Sequence, residues 1–196
     1  MRDAPVFCVP CGNFGNLYAG LLARQMGLPV RAFIAATNAN QVVPDYLETG
    51  TYSPRPAIST LSNAMDVGDP SNWERIRHLF HDQLGDLRQV LRWGSLDDAG
   101  TKRAMWELHA AGILPDPHTA VAYGVAQSKL GLAEICVLLA TAHPAKFAEI
   151  LRQNMNLDVP LPEALAAVQD KPILSETIPA DLDGLKKRLL NAPGNL

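Results

Sequence analysis

The segment Cys11–Asn16 (CGNFGN) combines residue types and spacing suited to binding an anion. It follows a short apolar stretch and precedes leucines at helical spacing, so it forms a turn between a strand and a helix. Gly12 and Gly15 can take positive φ and turn successive N–H groups toward one point. The helix adds free N–H groups and the positive end of its dipole. The segment therefore predicts a phosphate site. A tight structural turn stays open as the alternative, since neither the Walker pattern nor GxGxxG is present.

Cys11 of this turn and Cys8 of the stretch before it stand at CxxC spacing. A redox pair needs its first cysteine exposed at the start of the helix. Cys8 falls inside the predicted strand, so we favour a small buried Cys8 and a loop Cys11. His78 and His81 are three residues apart without an acidic or cysteine partner, which favours a solvated helix face over a metal site.

A second segment with chemical potential is Thr141–Phe147 (TAHPAKF). A hydroxyl, an imidazole and an amine (Thr141, His143 and Lys146) follow an apolar strand. The alternative is a plain helix start, with Thr141 as its cap and Lys146 in solvent. Composition does not separate the two interpretations.

Short apolar stretches around these segments predict the elements that position them. We expect a helix over Leu17–Met26 and strands over Pro5–Val9, Val30–Ala35 and Glu134–Thr141, the last of which has the strongest pattern of a buried strand. A strand, a helix and a second strand in that order form a βαβ unit with a parallel sheet. Ligands of such sheets bind at the carboxyl ends of the strands, which directs attention to residues 10–16 and 141–146.

Further helices are predicted in the middle and the tail of the chain. They cover 38–48, 73–84, a stretch from Asp97-Asp98 to Gly112, 118–130 and 180–191, with a proline-rich extended loop at 51–58. The fold prediction is an α/β domain with a mostly parallel sheet and flanking helices.

Composition excludes several classes of protein. The 196 residues are 47% hydrophobic with a net charge of −3, too apolar and too weakly charged for a disordered chain. We expect no nucleic-acid partner, because no basic surplus is visible. No apolar run approaches the ~20 residues of a membrane span, and no signal peptide is recognisable. Three cysteines favour a reducing cytoplasm over a disulfide-rich secreted scaffold.

Four ordered blocks of the chain resemble threonine synthase, a pyridoxal-phosphate enzyme of the tryptophan-synthase-β-like fold (fold type II). They are VPCGNFGNLYAGLLARQMGLPVRAFIAATNANQVVPDYLETG, TLSNAMDVGDPSNWERI, DPHTAVAYGVA and ATAHPAKFAEIL. A match to GNFGN alone would be weak, whereas four blocks in the family's order are specific.

The resemblance implies pyridoxal phosphate as the cofactor and assigns residues to it. The residues that would hold its phosphate through backbone N–H groups are Gly12, Asn13, Phe14, Gly15 and Asn16. Thr141 would face the pyridine nitrogen. Cys11 stands where the family pattern has Ser or Thr, and a thiol is a weaker donor than a hydroxyl. The family-like segment 60–66 receives no role.

The family converts O-phosphohomoserine and water to threonine and phosphate. The resemblance covers roughly the C-terminal half of a family chain, and the aldimine lysine belongs to an upstream Ser-Phe-Lys-Asp block. We therefore expect a truncated or partial gene product starting at Met1. It would carry no catalytic residue, be inactive alone and need the N-terminal portion of the enzyme as its partner. Residues 1–157 would form the cofactor-phosphate-binding portion and 158–196 a helical tail.

Three alternative functions stay open. One is another lyase of the same fold, such as threonine dehydratase, although the AHPAKF and NAMDV segments argue against it. Another is a non-catalytic phosphate- or nucleotide-binding module. The third is a thiol-disulfide protein that uses Cys8 and Cys11.

Overall fold

The computed structural model describes residues 4–190, so Met1 and the predicted helix end at Asn191 lie outside it. The chain divides after Pro160 into two compact units. The described part of the second unit, 161–190, contains two short helices, α8 (Glu163–Ala166) and α9 (Leu182–Leu190), neither with a buried residue. The assignment of 1–157 and 158–196 to separate roles stays a prediction.

Within the described residues, the first unit contains a four-stranded sheet in the order β3-β2-β1-β4. Its strands are β1 (Val6–Pro10), β2 (Ala32–Thr37), β3 (Leu91–Ser95) and β4 (Cys136–Leu138). Every pairing is parallel, which confirms the predicted sheet. β2 begins two residues later than predicted.

The sheet is buried on both faces, because alternate residues of the inner strands enter two separate clusters. Cys8 and Ile34 pack on one face against Val121 and Val125. Phe33 packs on the other face in a larger cluster that includes residues of the first helix. Side chains of successive strand residues point to opposite faces, so near-continuous apolar strands are what a doubly covered parallel sheet requires.

Seven α-helices belong to the described part of the first unit. They are α1 (Gly15–Gln25), α2 (Val42–Thr49), α3 (Trp73–Leu79), α4 (Leu84–Val90), α5 (Asp98–Ala110), α6 (Pro117–Lys129) and α7 (Ala148–Met155). Short 3₁₀ turns lie at Asn63–Met65 and Pro144–Phe147. None of the helices in 4–190 is both long and apolar enough to cross a membrane.

The single helix predicted over 73–84 is wrong, because the structure has α3 and α4 there. His81 and Asp82 separate them with φ of 50° and 57°, a left-handed conformation that does not continue an α-helix. The Arg77 guanidinium donates to Asp82 Oδ1 at 2.8 Å and holds the break in place.

The buried strand predicted over 134–141 does form, but it is shorter and more exposed than predicted. Only Cys136–Leu138 pairs, and Ile135 and Val137 are 62% and 38% exposed. β4 lies at the edge of the described sheet, with a partner on one side only. The opposite edge, β3, was not predicted, because its sequence LRWGS lacks the apolar run typical of an inner strand.

Candidate functional site

The segment Gly12–Asn16, called here the 12–16 loop, contains the turn after β1 and the first two residues of α1, at the carboxyl edge of the sheet. The Cys11 N–H donates to the Ala36 carbonyl at 2.8 Å and continues the strand pairing, after which the chain turns into the helix. Phe14 is the residue before α1 and has φ of 61°. The expectation that a glycine would supply a positive φ is therefore wrong, since neither Gly12 nor Gly15 has one.

The backbone N–H groups of the 12–16 loop are free. Within residues 4–190, none of these five groups donates a hydrogen bond. No side chain caps α1, and its first turn contains no acidic residue. Free N–H groups at a helix start are an anion-binding arrangement, because the donors and the helix dipole act in the same direction.

Gly12 is needed for space rather than for its torsion angle. A Cβ built on Gly12 would lie 2.8 Å from the Met65 Cα and 3.1 Å from the Ala64 carbonyl oxygen. Both neighbours are backbone atoms that cannot move aside independently. The glycine therefore allows the 12–16 loop and the Asn63–Met65 turn to touch.

The segment 60–66 is held in position by Asp66. Asp66 Oδ1 accepts hydrogen bonds from Asn38 Nδ2 (2.8 Å), Asn40 Nδ2 (3.1 Å) and Thr60 Oγ1 (2.7 Å). Asn38 Nδ2 also donates to Ser62 Oγ at 3.0 Å. The network ties this segment to the chain that follows β2, so the segment 60–66 acts as a wall of the site.

Aromatic packing holds Phe14, the residue of the loop with a positive φ. The buried Phe14 ring meets the Trp73 ring edge-on, with centroids 5.4 Å apart, and Trp73 in turn meets Tyr46 at 5.8 Å. Asn13 and Ser71 exchange side-chain hydrogen bonds of 3.0 and 3.1 Å. Ser71 and the first residue of α3, Trp73, thereby support the loop.

A cavity of about 250 Å³ lies against the 12–16 loop. All six residues proposed from the sequence line it, and so do seven others: Pro10, Cys11, Leu17, Ala64, Met65, Asn72 and His118. The structure thus brings Thr141 to the same cavity as the loop. The role of these six residues in holding a cofactor stays a prediction.

Thr141 does not cap the following helix. It is exposed on the cavity wall, and His143 takes the capping position, with Nδ1 accepting from the Ala145 N–H at 3.1 Å. Neither His143 nor Lys146 lines the cavity. The Lys146 amine lies 5.6 Å from the centre of the Phe147 ring.

His118 lines the cavity and was missed by the sequence analysis. It is 3% exposed, and its Nδ1 lies 3.1 Å from Asp116 Oδ1. Burial opposes ionisation of Asp116, but hydrogen bonds from His118 and Thr119 outweigh it and lower the pKa of the carboxyl group. The signal was the Asp-Pro-His run at the start of α6, which belongs to the family-like block DPHTAVAYGVA but received no site role there.

The two cysteines of the CxxC are structural. Cys8 Sγ donates to the Ala122 carbonyl and Cys11 Sγ to the Val9 carbonyl, both at 3.2 Å. Both thiols are free and buried, and burial raises their pKa well above the ordinary range. A nucleophilic thiolate is therefore disfavoured. The described residues hold no cluster of three or more metal-ligating side chains.

Several threonine synthases are similar in sequence to this chain. The family model described as threonine synthase, C-terminal, matches residues 119–188. The threonine synthase of Serratia marcescens is 45% identical over 98% of this chain. The match covers 44% of that relative, so the chain spans less than half the length of the enzyme that it resembles.

Solved structures agree with the sequence comparison. The crystal structure of threonine synthase from Escherichia coli matches 97% of this chain and 44% of its own, with a TM-score of 0.85 and 45% identity. The pyridoxal-phosphate-bound threonine synthase from Brucella melitensis matches 86% of this chain and 42% of its own, with a TM-score of 0.78 and 32% identity. These matches confirm the predicted fold class.

Proposed function

We propose that this chain, which is similar in sequence and fold to the C-terminal part of threonine synthases, forms the phosphate side of a pyridoxal-phosphate site. The five free N–H groups of the 12–16 loop carry the proposal. They would hold the phosphate of the cofactor, as backbone groups at a helix start hold anions in many proteins.

The rest of the cavity fits the same ligand. Its lining in the described chain contains no carboxylate, which would repel a phosphate. Thr141 offers a neutral hydroxyl that would face the pyridine nitrogen. A hydroxyl can hydrogen-bond the nitrogen without supplying the negative charge that holds a proton there. When bound, pyridoxal phosphate supplies an electron sink for breaking bonds beside an amino group.

The reaction proposed for the complete enzyme is the conversion of O-phosphohomoserine and water to threonine and phosphate. This chain contributes binding and orientation, because none of its six lysines follows a Ser-Phe pair as in the family's lysine block. We expect no turnover by the chain alone. Its partner would be the N-terminal portion of the enzyme and its compartment the cytoplasm, with neither nucleic acid nor membrane as a partner.

Binding of pyridoxine 5′-phosphate tests the proposed site. This compound carries an alcohol in place of the aldehyde, so it does not react with surface lysines. We expect saturable quenching of tryptophan fluorescence, because Trp73 contacts Phe14 of the loop. Inorganic phosphate should compete, and pyridoxine without phosphate should bind at least tenfold more weakly. Absence of saturable binding, or equal binding of pyridoxine, would overturn the proposal.

The proposed reaction is tested by adding the N-terminal portion of the Escherichia coli threonine synthase. The chain alone should release no threonine from O-phosphohomoserine, and the mixture should release it. Turnover by the chain alone would refute the expected inactivity. A stable but inactive complex of the two portions would refute the assigned reaction.

A further inference from the structure

The imidazole of His118 is held on two sides. Asp116 is an ionised acceptor, so Nδ1 of His118 carries the proton of their 3.1 Å hydrogen bond. The Phe147 ring lies with its centre 4.6 Å from the imidazole centre. Asp116 is itself fixed as the cap of α6, since its Oδ1 accepts from the N–H groups of His118 (2.9 Å) and Thr119 (3.2 Å).

The other ring nitrogen of His118 is left without a partner. Nε2 is buried and makes no hydrogen bond to any residue of the described chain. Trp73 Nε1 is unpaired in the same way, but Trp73 does not line the cavity, whereas His118 does. Buried polar atoms are seldom left unpaired, so an orphan atom on a residue of a cavity wall indicates a missing ligand or water.

The ionisable side chains of the cavity wall indicate which ligand charge the wall can bind. Among the described lining residues, only His118 and Cys11 have side chains that can ionise. Burial raises the pKa of the Cys11 thiol, which therefore stays neutral. The imidazole is thus the one side chain of this wall that can carry a positive charge. It lies on the same cavity as the free N–H groups of the 12–16 loop.

We infer that His118 contacts the ligand of this cavity through Nε2. Because Nδ1 keeps the proton shared with Asp116, it is the imidazolium form, with a proton on both nitrogens, that donates from Nε2 to an anionic oxygen of a phosphorylated small molecule. Asp116 is the positioning residue, because it holds Nδ1 and leaves Nε2 for the ligand. The inference rests on the proposed function, in that the ligand carries a phosphate. The oxygen belongs either to a phosphorylated pyridoxal compound or to a separate phosphate group.

The test follows the imidazole nitrogens of chain labelled with ¹⁵N-histidine. The chain has five histidines, and the signals of His118 are identified by their loss in His118→Gln. On titration with pyridoxine 5′-phosphate we expect Nε2 of His118 to shift and saturate with the ligand. A second titration, with inorganic phosphate added to chain already saturated with pyridoxine 5′-phosphate, identifies the source, since only a separate phosphate site would then shift Nε2 further.

Affinity supplies a second readout. His118→Gln should weaken binding of pyridoxine 5′-phosphate about tenfold, and Asp116→Asn should weaken it less while changing the signal of Nδ1. The exposed His81 gives the control variant, His81→Gln, which should bind like the original chain. Thermal unfolding checks that each variant is folded, and the titration of the unmodified chain needs no variant to fold.

The outcomes separate this inference from the proposed function. If the ligand binds but Nε2 does not shift and His118→Gln binds equally well, the inference is wrong and the phosphate site stands. If the ligand does not bind the unmodified chain, the proposed function fails and the inference fails with it. A shift of Nε2 with loss of affinity in His118→Gln supports both.

Discussion

The Cβ position of Gly12 lies 2.8 Å from the Cα of Met65, closer than two such carbons can approach. The strand-to-helix turn and the Asn63–Met65 turn therefore meet backbone to backbone, with no side chain between them. This contact places a wall beside the free N–H groups of the 12–16 loop. A side chain at position 12 could be accommodated only if one of these two backbones moved.

Replacing Gly12 with alanine should push these two backbones apart. We expect the free energy of unfolding to fall by about 1–3 kcal/mol, as in other overpacked sites, measured by urea denaturation. Gly85 is the matched control, because it is exposed in α4 and has open space around its Cβ position. Gly85→Ala should leave stability unchanged or raise it by up to about 1 kcal/mol. Equal effects of the two substitutions would contradict the contact.

Removing the Asp66 carboxylate should loosen the wall formed by segment 60–66. Asp66→Ala leaves the amides of Asn38 and Asn40 without their shared acceptor, at a cost of about 2 kcal/mol. The control is Asp158→Ala, which removes an exposed ion pair with Arg152 and should change stability by less than about 0.5 kcal/mol. Thermal or urea unfolding of both variants measures the difference. An Asp66→Ala variant as stable as the original chain would show that the network does not stabilise the fold.

Much of this arrangement could be predicted because it depends on local sequence. The segment CGNFGN, between an apolar strand and a leucine-spaced helix, predicts a turn from its local sequence alone. The βαβ order indicates a parallel sheet. The prediction that 10–16 and 141–146 share one edge followed from the rule that ligands of such sheets bind at the carboxyl ends of strands. Thr141 lines the same cavity as the 12–16 loop.

Other features depend on distant packing and could not be predicted. Phe14 adopts a left-handed conformation that a local sequence pattern would assign to glycine. In this conformation its ring packs against Trp73, a residue distant in the sequence. The contact of His118 with Phe147 joins residues far apart in the chain. The apolar run of β4 predicts a buried strand, but the described sheet gives it only one neighbour.

Glu134, which lies near the amino ends of the strands, should make the free energy of unfolding depend on pH. It pairs with Arg31 at 2.9 Å and with Arg92 at 2.7 Å, and the hydrogen bond from Arg92 leads the causes that lower its pKa from 4.5 to about 2. A lowered folded-state pKa adds stability above about pH 4.5 and loses it as pH falls toward 2. Urea denaturation at several pH values should show this loss.

The variant Glu134→Gln should flatten the pH dependence of unfolding between pH 4.5 and 2. The exposed Glu149 supplies the control, Glu149→Gln, which should keep the original profile. If the profile of Glu134→Gln stays parallel to that of the original chain over this range, the assigned ion pairs do not hold Glu134 in its charged form.

The thiols of Cys8 and Cys11 should not react in the folded chain. Both are buried, and burial raises the pKa of each, so little thiolate is available. A thiol reagent at neutral pH should modify only the half-buried Cys136 before unfolding and all three cysteines after it. The variant Cys136→Ser should then be inert until unfolded. Rapid reaction of Cys8 and Cys11 in that variant would revive the thiol-disulfide interpretation.

The backbone amide signals of Gly12–Asn16 test the central claim most directly, by ¹H–¹⁵N NMR titration with pyridoxine 5′-phosphate. Free N–H groups that bind a phosphate should shift strongly and saturate together, because each gains a charge-assisted hydrogen bond. Pyridoxine without the phosphate should leave them nearly unmoved. If these five amides stay unmoved by the phosphate compound, or shift equally with pyridoxine, the 12–16 loop is not a phosphate site.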